Sequence, residues 1–368
     1  MINIAQPAVG EEEIEAVAEV MRSGMLAQGS VTTEFENNFA EYCGVSHAVG
    51  VNSGTAALHM GLLALGIGAG DEVIVPSFTF IATATAVSMC GATPVIVDVT
   101  EDTYTINPEE ITANITDRTK AVIGVHLFGQ PFDVDSVLKI CDEHNLYLIE
   151  DAAQAHGAVY KGKRAGGFGK IGCFSFYPTK NMTTGEGGIV TTNDQDIDQK
   201  IRRLINHGQS EKYLHTELGY NMRLSNISAA IGNVQLRKID GMNRKRAANA
   251  EVYNKNISAE GIKTPFCMSD SEHVWHQYVI EVKDNFPMSR DEFMVYLREK
   301  GIGSAVHYPI PVHMQPMYSD SGSINRKISE SGCPVSERLA SEVLSLPVHP
   351  GVSPEECEYI CDIINEVN

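Results

Sequence analysis

Short apolar runs alternate with stretches of helical spacing through the first half of the chain: Glu72-Val-Ile-Val-Pro76, Thr93-Pro-Val-Ile-Val-Asp98, Ala121-Val-Ile-Gly-Val-His126 and Leu146-Tyr-Leu-Ile-Glu150. Runs that are apolar at successive positions and separated by helices predict a mainly parallel sheet covered on both faces, an α/β architecture. An earlier unit has the same form, with a short strand ending at Asn52 and a helix bearing Leu58, Leu62 and Leu65 beginning just after Gly54. The glycines of Gly66-Ile-Gly-Ala-Gly70 end that helix and precede a strand, the reverse of the order a dinucleotide-binding loop requires, so they read as a turn.

From Ser225 the spacing of Ile227, Ile231 and Val234, continued by a basic stretch from Arg237 to Arg246, predicts a long helix that leads into a second domain. The division expected is a large domain over 1–240 and a smaller α+β domain over 241–368. In the smaller one Tyr278-Val-Ile-Glu-Val282 reads as a strand. Ser289-Arg-Asp-Glu292 and Ser353-Pro-Glu-Glu356 are capping boxes, each opening a helix. Cys357, Ile360, Cys361 and Ile364 recur at helical spacing and predict a buried stripe rather than a metal site. The serine- and glycine-rich segment Met317 to Arg326 is expected to be a mobile loop.

Composition narrows the functional classes. A chain of 368 residues exceeds the ~250–300 at which one core stops growing. No apolar run approaches the ~20 residues of a membrane span, and the amino terminus lacks a signal-peptide pattern. The eight cysteines are scattered without metal spacing, which predicts reduced thiols and a cytoplasmic protein. A net charge of −19 argues against nucleic acid as a partner, because phosphate backbones demand a basic face.

Three motifs carry the candidate chemistry. Lys180 follows the strand-like run Cys173 to Tyr177 and Pro178, and glycines 185, 187 and 188 let the backbone fold closely around it before Ile189-Val-Thr-Thr192 restarts strand character. Ser53-Gly54-Thr55 opens a helix, where free N–H groups and the positive dipole end suit a phosphate. The carboxyl end of the strand Leu146 to Glu150 delivers Glu150, Asp151 and Gln154 to the edge where parallel sheets bind ligands. A phosphate cradle, an acid and a lysine are what pyridoxal 5′-phosphate (PLP) requires: an anion site, a carboxylate to keep the ring nitrogen protonated, and an amine to take up the aldehyde. Their order along the chain is that of the aspartate aminotransferase fold.

The motifs resemble those of the DegT/DnrJ/EryC1/StrS family of sugar aminotransferases. The likeness runs from Gln6-Pro7 through Gly70-Asp-Glu-Val-Ile-Val-Pro-Ser-Phe-Thr-Phe80, Glu150-Asp-Ala-Ala-Gln154 and the Lys180 segment to Gly219-Tyr-Asn-Met-Arg223 and His307-Tyr-Pro309. It implies a fold type I PLP enzyme in which Lys180 is the Schiff-base residue and proton carrier and Asp151 pairs with the pyridinium nitrogen. It further implies that Phe80 stacks on the cofactor ring, that Gln154 lies near the ring hydroxyl, and that Gly54, Thr55 and Ser175 hold the phosphate. Asn221 is implied to reach a phosphate across the interface of a homodimer with shared active sites. Arg223, His307 and Tyr308 are the candidate contacts to a nucleotide-linked keto sugar, with L-glutamate as amino donor and C3 preferred over C4. Two other readings compete. A PLP enzyme of another reaction type, such as a cysteine desulfurase, would need a mobile cysteine in an electropositive loop; a non-catalytic sugar-binding or regulatory protein on the same fold should lack the Lys180 and Asp151 pair.

Overall fold

Five strands of the first half, β1 (His47–Val51), β2 (Glu72–Pro76), β3 (Thr93–Val97), β4 (Thr119–Val125) and β5 (Tyr147–Asp151), coincide with the apolar runs and are buried along almost their whole length. With β6 (Ile171–Ser175) and β7 (Gly188–Thr192) they form one sheet in the order β1-β7-β6-β5-β4-β2-β3. Only β7 runs against its neighbours, so the sheet is mainly parallel, as the pattern predicts. One face packs Val73, Val75, Ile123 and Ile149 against the helix Gly54–Ala64. The other packs Ile74, Val122 and Leu148 near Phe132, and Phe174 and Ile189 against Phe35 and Phe39. Burial on both faces explains why these strands read as continuous apolar runs.

The second core gathers on a three-stranded antiparallel sheet of β8 (Ile262–Lys263), β9 (Tyr278–Val282) and a strand over Val343–Leu346. The helices Arg290–Glu299 and Pro354–Asn365 begin with the two expected capping boxes, Ser289 with Glu292 and Ser353 with Glu356. Cys357, Ile360, Cys361 and Ile364 all enter this core.

The helix Asn226–Asn256, with Ser225 at its N-cap, joins the two cores. Ile239 belongs to the first and Ala250 and Tyr253 to the second, so a division at residue 240 passes through a continuous helix. Two exchanges tie the cores further. Ile2 bridges Ile302 and packs in the second core, and β10 (Lys327–Ile328) pairs in parallel with β3 at the far edge of the large sheet. The computed structural model describes residues 1–318, 322 and 324–367. Of the loop expected over Met317 to Arg326, residues 319–321 and 323 lie outside the described residues; Tyr318 at its start is buried and bonded to Ser88 Oγ at 2.8 Å.

Candidate active site

The carboxyl ends of β1, β5 and β6 open on a cavity of about 510 Å³, the place where an open α/β sheet is expected to hold its ligand. Its lining includes Ser53, Gly54, Thr55, Phe80, Asp151 and Gln154, and from later in the chain Ser175, Lys180, His307 and Tyr308. Residues far apart in sequence are thus brought to one space.

Lys180 lies on the loop between β6 and β7, and that loop is tied down on both sides. Thr183 Oγ1 and the Thr184 N–H donate to the Phe176 carbonyl at 2.8 and 3.0 Å. Asn181, buried beside the lysine, donates to the Val274 carbonyl at 2.8 Å and to Asn243 Oδ1 at 2.9 Å. Gly188 closes the loop against the helix start, since a Cβ there would lie 2.4 Å from the Ser53 carbonyl oxygen. Among the described residues the amine makes no ion pair, and burial pushes its pKa from 10.5 down to about 8 against the opposing pull of Asp151. A neutral fraction of roughly a tenth is therefore present at pH 7, far more than an ordinary lysine has, as a nucleophilic lysine requires.

Asp151 ends β5 and is buried. Its Oδ2 accepts from Thr83 Oγ1 at 2.8 Å and its Oδ1 from the Ala153 N–H at 3.2 Å. Burial raises its pKa, while these donors and the charge of Lys180 favour the carboxylate. The preceding residue, Glu150, turns to the opposite face, as the period of a strand demands. There it accepts from the N–H groups of Gly166, Phe168 and Gly169 at 2.6 to 2.7 Å and contacts His126 Nε2 at 2.9 Å. Glu150 is a structural residue; Asp151 is the buried acid of the cavity, and the exposed Glu186 also borders it.

Ser53 caps the helix Gly54–Ala64 by accepting from the Ala56 N–H at 3.1 Å, and the N–H groups of Gly54 and Thr55 have no acceptor within the helix. Ser175 stands against them: a Cβ on Gly54 would meet the Ser175 Cβ at 2.6 Å. Free backbone donors and a hydroxyl converge at the dipole's positive end, which is an anion site. Phe80 is 54% exposed, so it is a wall of the cavity rather than core, with its ring 6.1 Å from that of Tyr308. Gln154 is held at both ends, its Oε1 accepting from the Phe128 N–H at 2.6 Å and its Nε2 donating to the Tyr308 hydroxyl at 2.9 Å. His307 Nδ1 meets Ser345 Oγ at 2.8 Å, and burial with the Lys180 charge takes its pKa down to about 4.

Asn221 and Arg223 do not line this cavity. Asn221 is exposed in a bridge with Asn206, and Arg223 donates to Asn206 Oδ1. Among the described lining residues Lys180 is the one Lys or Arg, so a single chain brings no arginine to its own site. Conversely, His276 and Gln277 line the cavity although sequence reasoning passed them over. The available signal was a polar pair placed directly before the apolar strand β9.

The anion site, the buried carboxylate and the low-pKa amine fit PLP: Gly54, Thr55 and Ser175 would hold its phosphate, Asp151 its ring nitrogen and Lys180 its aldehyde carbon. Residues 7–365 match the DegT/DnrJ/EryC1/StrS aminotransferase family. The chain belongs to that family. It is therefore a fold type I aminotransferase, and its cofactor is PLP. It is similar to dTDP-3-amino-3,4,6-trideoxy-alpha-D-glucose transaminase of Streptomyces venezuelae, 41% identical over 353 residues, covering 95% of this chain and 90% of the relative. It is also similar to dTDP-3-amino-3,6-dideoxy-alpha-D-galactopyranose transaminase of Aneurinibacillus thermoaerophilus, 42% identical and covering 96% and 95%. Among solved structures, the PLP form of Spr1654 from Streptococcus pneumoniae superposes with a TM-score of 0.92 at 28% identity, covering 100% of this chain and 98% of that one.

Proposed function

We propose that this DegT/DnrJ/EryC1/StrS aminotransferase moves an amino group from L-glutamate to a keto group, preferably at C3, of a nucleotide-linked hexose. The observation that carries the reading is the single cavity shared by Lys180, Asp151 and the Ser53 to Thr55 helix start, with His307 and Tyr308 on its wall. Two similar proteins are named for 3-amino sugars, which favours C3.

PLP supplies an electron sink that weakens a C–H bond at the amine-bearing carbon. The chain's residues do the rest. Lys180 Nζ, with a pKa near 8, can accept and return a proton close to neutral pH. Asp151 would hold a proton at the ring nitrogen, and its bonds from Thr83 and Ala153 keep it aligned for that role. Tyr308, locked by Gln154, presents an apolar face with a polar tip to the sugar.

We place the active sites at the interface of a cytoplasmic homodimer. A nucleotide diphosphate needs cationic partners that one chain does not bring to its own cavity. Arg223 and Asn221 of a second copy are the candidates. In the segment leading up to them Tyr213 and Leu218 stand 82% and 81% exposed, apolar surface suited to a contact between copies. Among the described residues no helix is long and apolar enough to cross a membrane.

The deciding assay follows 2-oxoglutarate-dependent deamination of a panel of 3-amino and 4-amino sugars linked to UDP and dTDP. The expected result is turnover of the 3-amino compounds with formation of glutamate. Activity confined to 4-amino sugars refutes the C3 preference, and activity on free amino acids alone overturns the nucleotide-sugar reading.

A further inference from the structure

The side chain of Asn181 has only one possible orientation. Its Nδ2 donates to the Val274 carbonyl, and because a backbone carbonyl can only accept, the amide cannot be turned round. Its other acceptor, Asn243 Oδ1, is fixed in the same way, since Asn243 Nδ2 donates to the His156 carbonyl at 2.8 Å. What Asn181 offers His276 is therefore an oxygen, 3.1 Å from His276 Nδ1. It follows that Nδ1 carries a hydrogen.

The His276 ring is buried and borders the cavity. Burial, together with the charges of Lys180, Arg246 and His307, holds its pKa well below the ordinary value, so the imidazole is neutral. A neutral ring with its hydrogen on Nδ1 has a bare lone pair on Nε2. No hydrogen bond joins that atom to any described residue, Lys180 included. The space available to it is the cavity.

We propose that His276 is a specificity-determining residue whose Nε2 accepts a hydrogen bond from a hydroxyl of the bound sugar. The inference rests on the nucleotide-sugar reading above and narrows its substrate class. A fixed acceptor rewards an O–H or N–H donor at its position and disfavours a carbonyl or carboxylate oxygen there. Acceptors of this kind discriminate against analogues that lack the donor, because the site's own lone pair is then left without a partner. Substrates therefore keep a hydroxyl, or an amide N–H, at the ring position that faces His276.

Two measurements on the holoenzyme test this. In the first, kcat/KM is compared for a nucleotide-linked keto sugar and its single-deoxy analogues. One analogue should react about 10- to 100-fold more slowly, and in His276→Phe that difference should collapse to within about threefold, through a loss on the hydroxylated sugar alone. Discrimination that survives in the variant, or no discriminated analogue at all, overturns the proposal. The second needs no variant and so does not depend on one that folds. With ¹⁵N-labelled histidine, Nε2 of His276 should be unprotonated from pH 6 to 8 and should shift when the hydroxylated amino-sugar nucleotide binds but not with the deoxy form. A protonated or unmoved Nε2 overturns the assignment. A protein that aminates no nucleotide-linked sugar overturns both readings, whereas one that does so with unchanged discrimination overturns this one alone.

Discussion

Lys180 faces one carboxylate, Asp151, and three imidazoles, His156, His276 and His307, whose pKa values its own charge helps to depress. Its own pKa is lowered, so the reactive, unprotonated amine grows as pH rises through about 8 instead of 10.5. In cofactor-free protein, the rate of modification of Lys180 by an amine reagent, read by peptide mass spectrometry, should follow that midpoint. Asp151 opposes the shift; Asp151→Asn should move the midpoint to lower pH and, in the holoenzyme, remove most activity. Lys180→Ala should reduce transamination on the order of 10³-fold or more with unchanged circular dichroism. Wild-type turnover in that variant would remove Lys180 from its role. At this scale the sequence showed the residue types but not their directions. Glu150 and Asp151 are adjacent acids at one strand end, and the pleat decides which enters the cavity. His276 was invisible because its orientation comes from Asn181, 95 positions away.

Elements with local signals were the legible ones. Ser225, Ser289 and Ser353 stand at the N-caps of their helices, and each cap is a contact within a few residues. β10 was not legible, since two residues joining a sheet edge in parallel have no pattern of their own. Nor was the role of Glu281 on β9. Wholly buried, it accepts from Tyr104 at 2.7 Å and pairs with Lys263 and Arg338 at 2.9 Å and with Lys283. Tyr104 belongs to the large-domain side and Arg338 to the helix Pro334–Glu342, so one carboxylate fastens several elements. These donors hold its pKa down at about 2. A depressed acid contributes stability that is complete above its unfolded value of 4.5 and is lost as pH falls toward 2. Glu281→Gln should lower stability by on the order of 3 kcal/mol in urea titrations at pH 7, and the difference from wild type should shrink between pH 4.5 and 2. An equal difference at both ends of that range would count against the charge pairing.

For the whole molecule, the charge balance and the site point to the same assembly. If the substrate carries a diphosphate as proposed, a protein of net charge −19 needs cations at the pocket mouth, and the single chain leaves Arg223 turned to Asn206. If Asn221 and Arg223 serve the neighbouring site, mixing Lys180→Ala with Asn221→Asp after dissociation and reassociation should recover about a quarter of the wild-type activity. Random pairing makes half the dimers hybrid, and one of the two sites in each hybrid holds neither lesion. No recovery, together with an active monomer in sedimentation, would refute the shared site. The large-domain fold was readable almost in full, because parallel strands buried on both faces leave an unmistakable apolar rhythm. The second core was readable in its helix starts, in β9 and in the buried stripe of its last helix, whereas its shorter antiparallel strands and the exchanged termini leave little periodicity.

The exchange of segments between the cores also sets an order in time. Ile2 leaves the ribosome long before its partners, Gly301 and Ile302. The large sheet likewise lacks its outer strand, β10, until residue 328 has been made. The edge of β3 is thus exposed through most of synthesis, an open template for pairing with other chains. The chain closes that edge with its own later segment, so the nascent protein stays open to mispairing until β10 has been made.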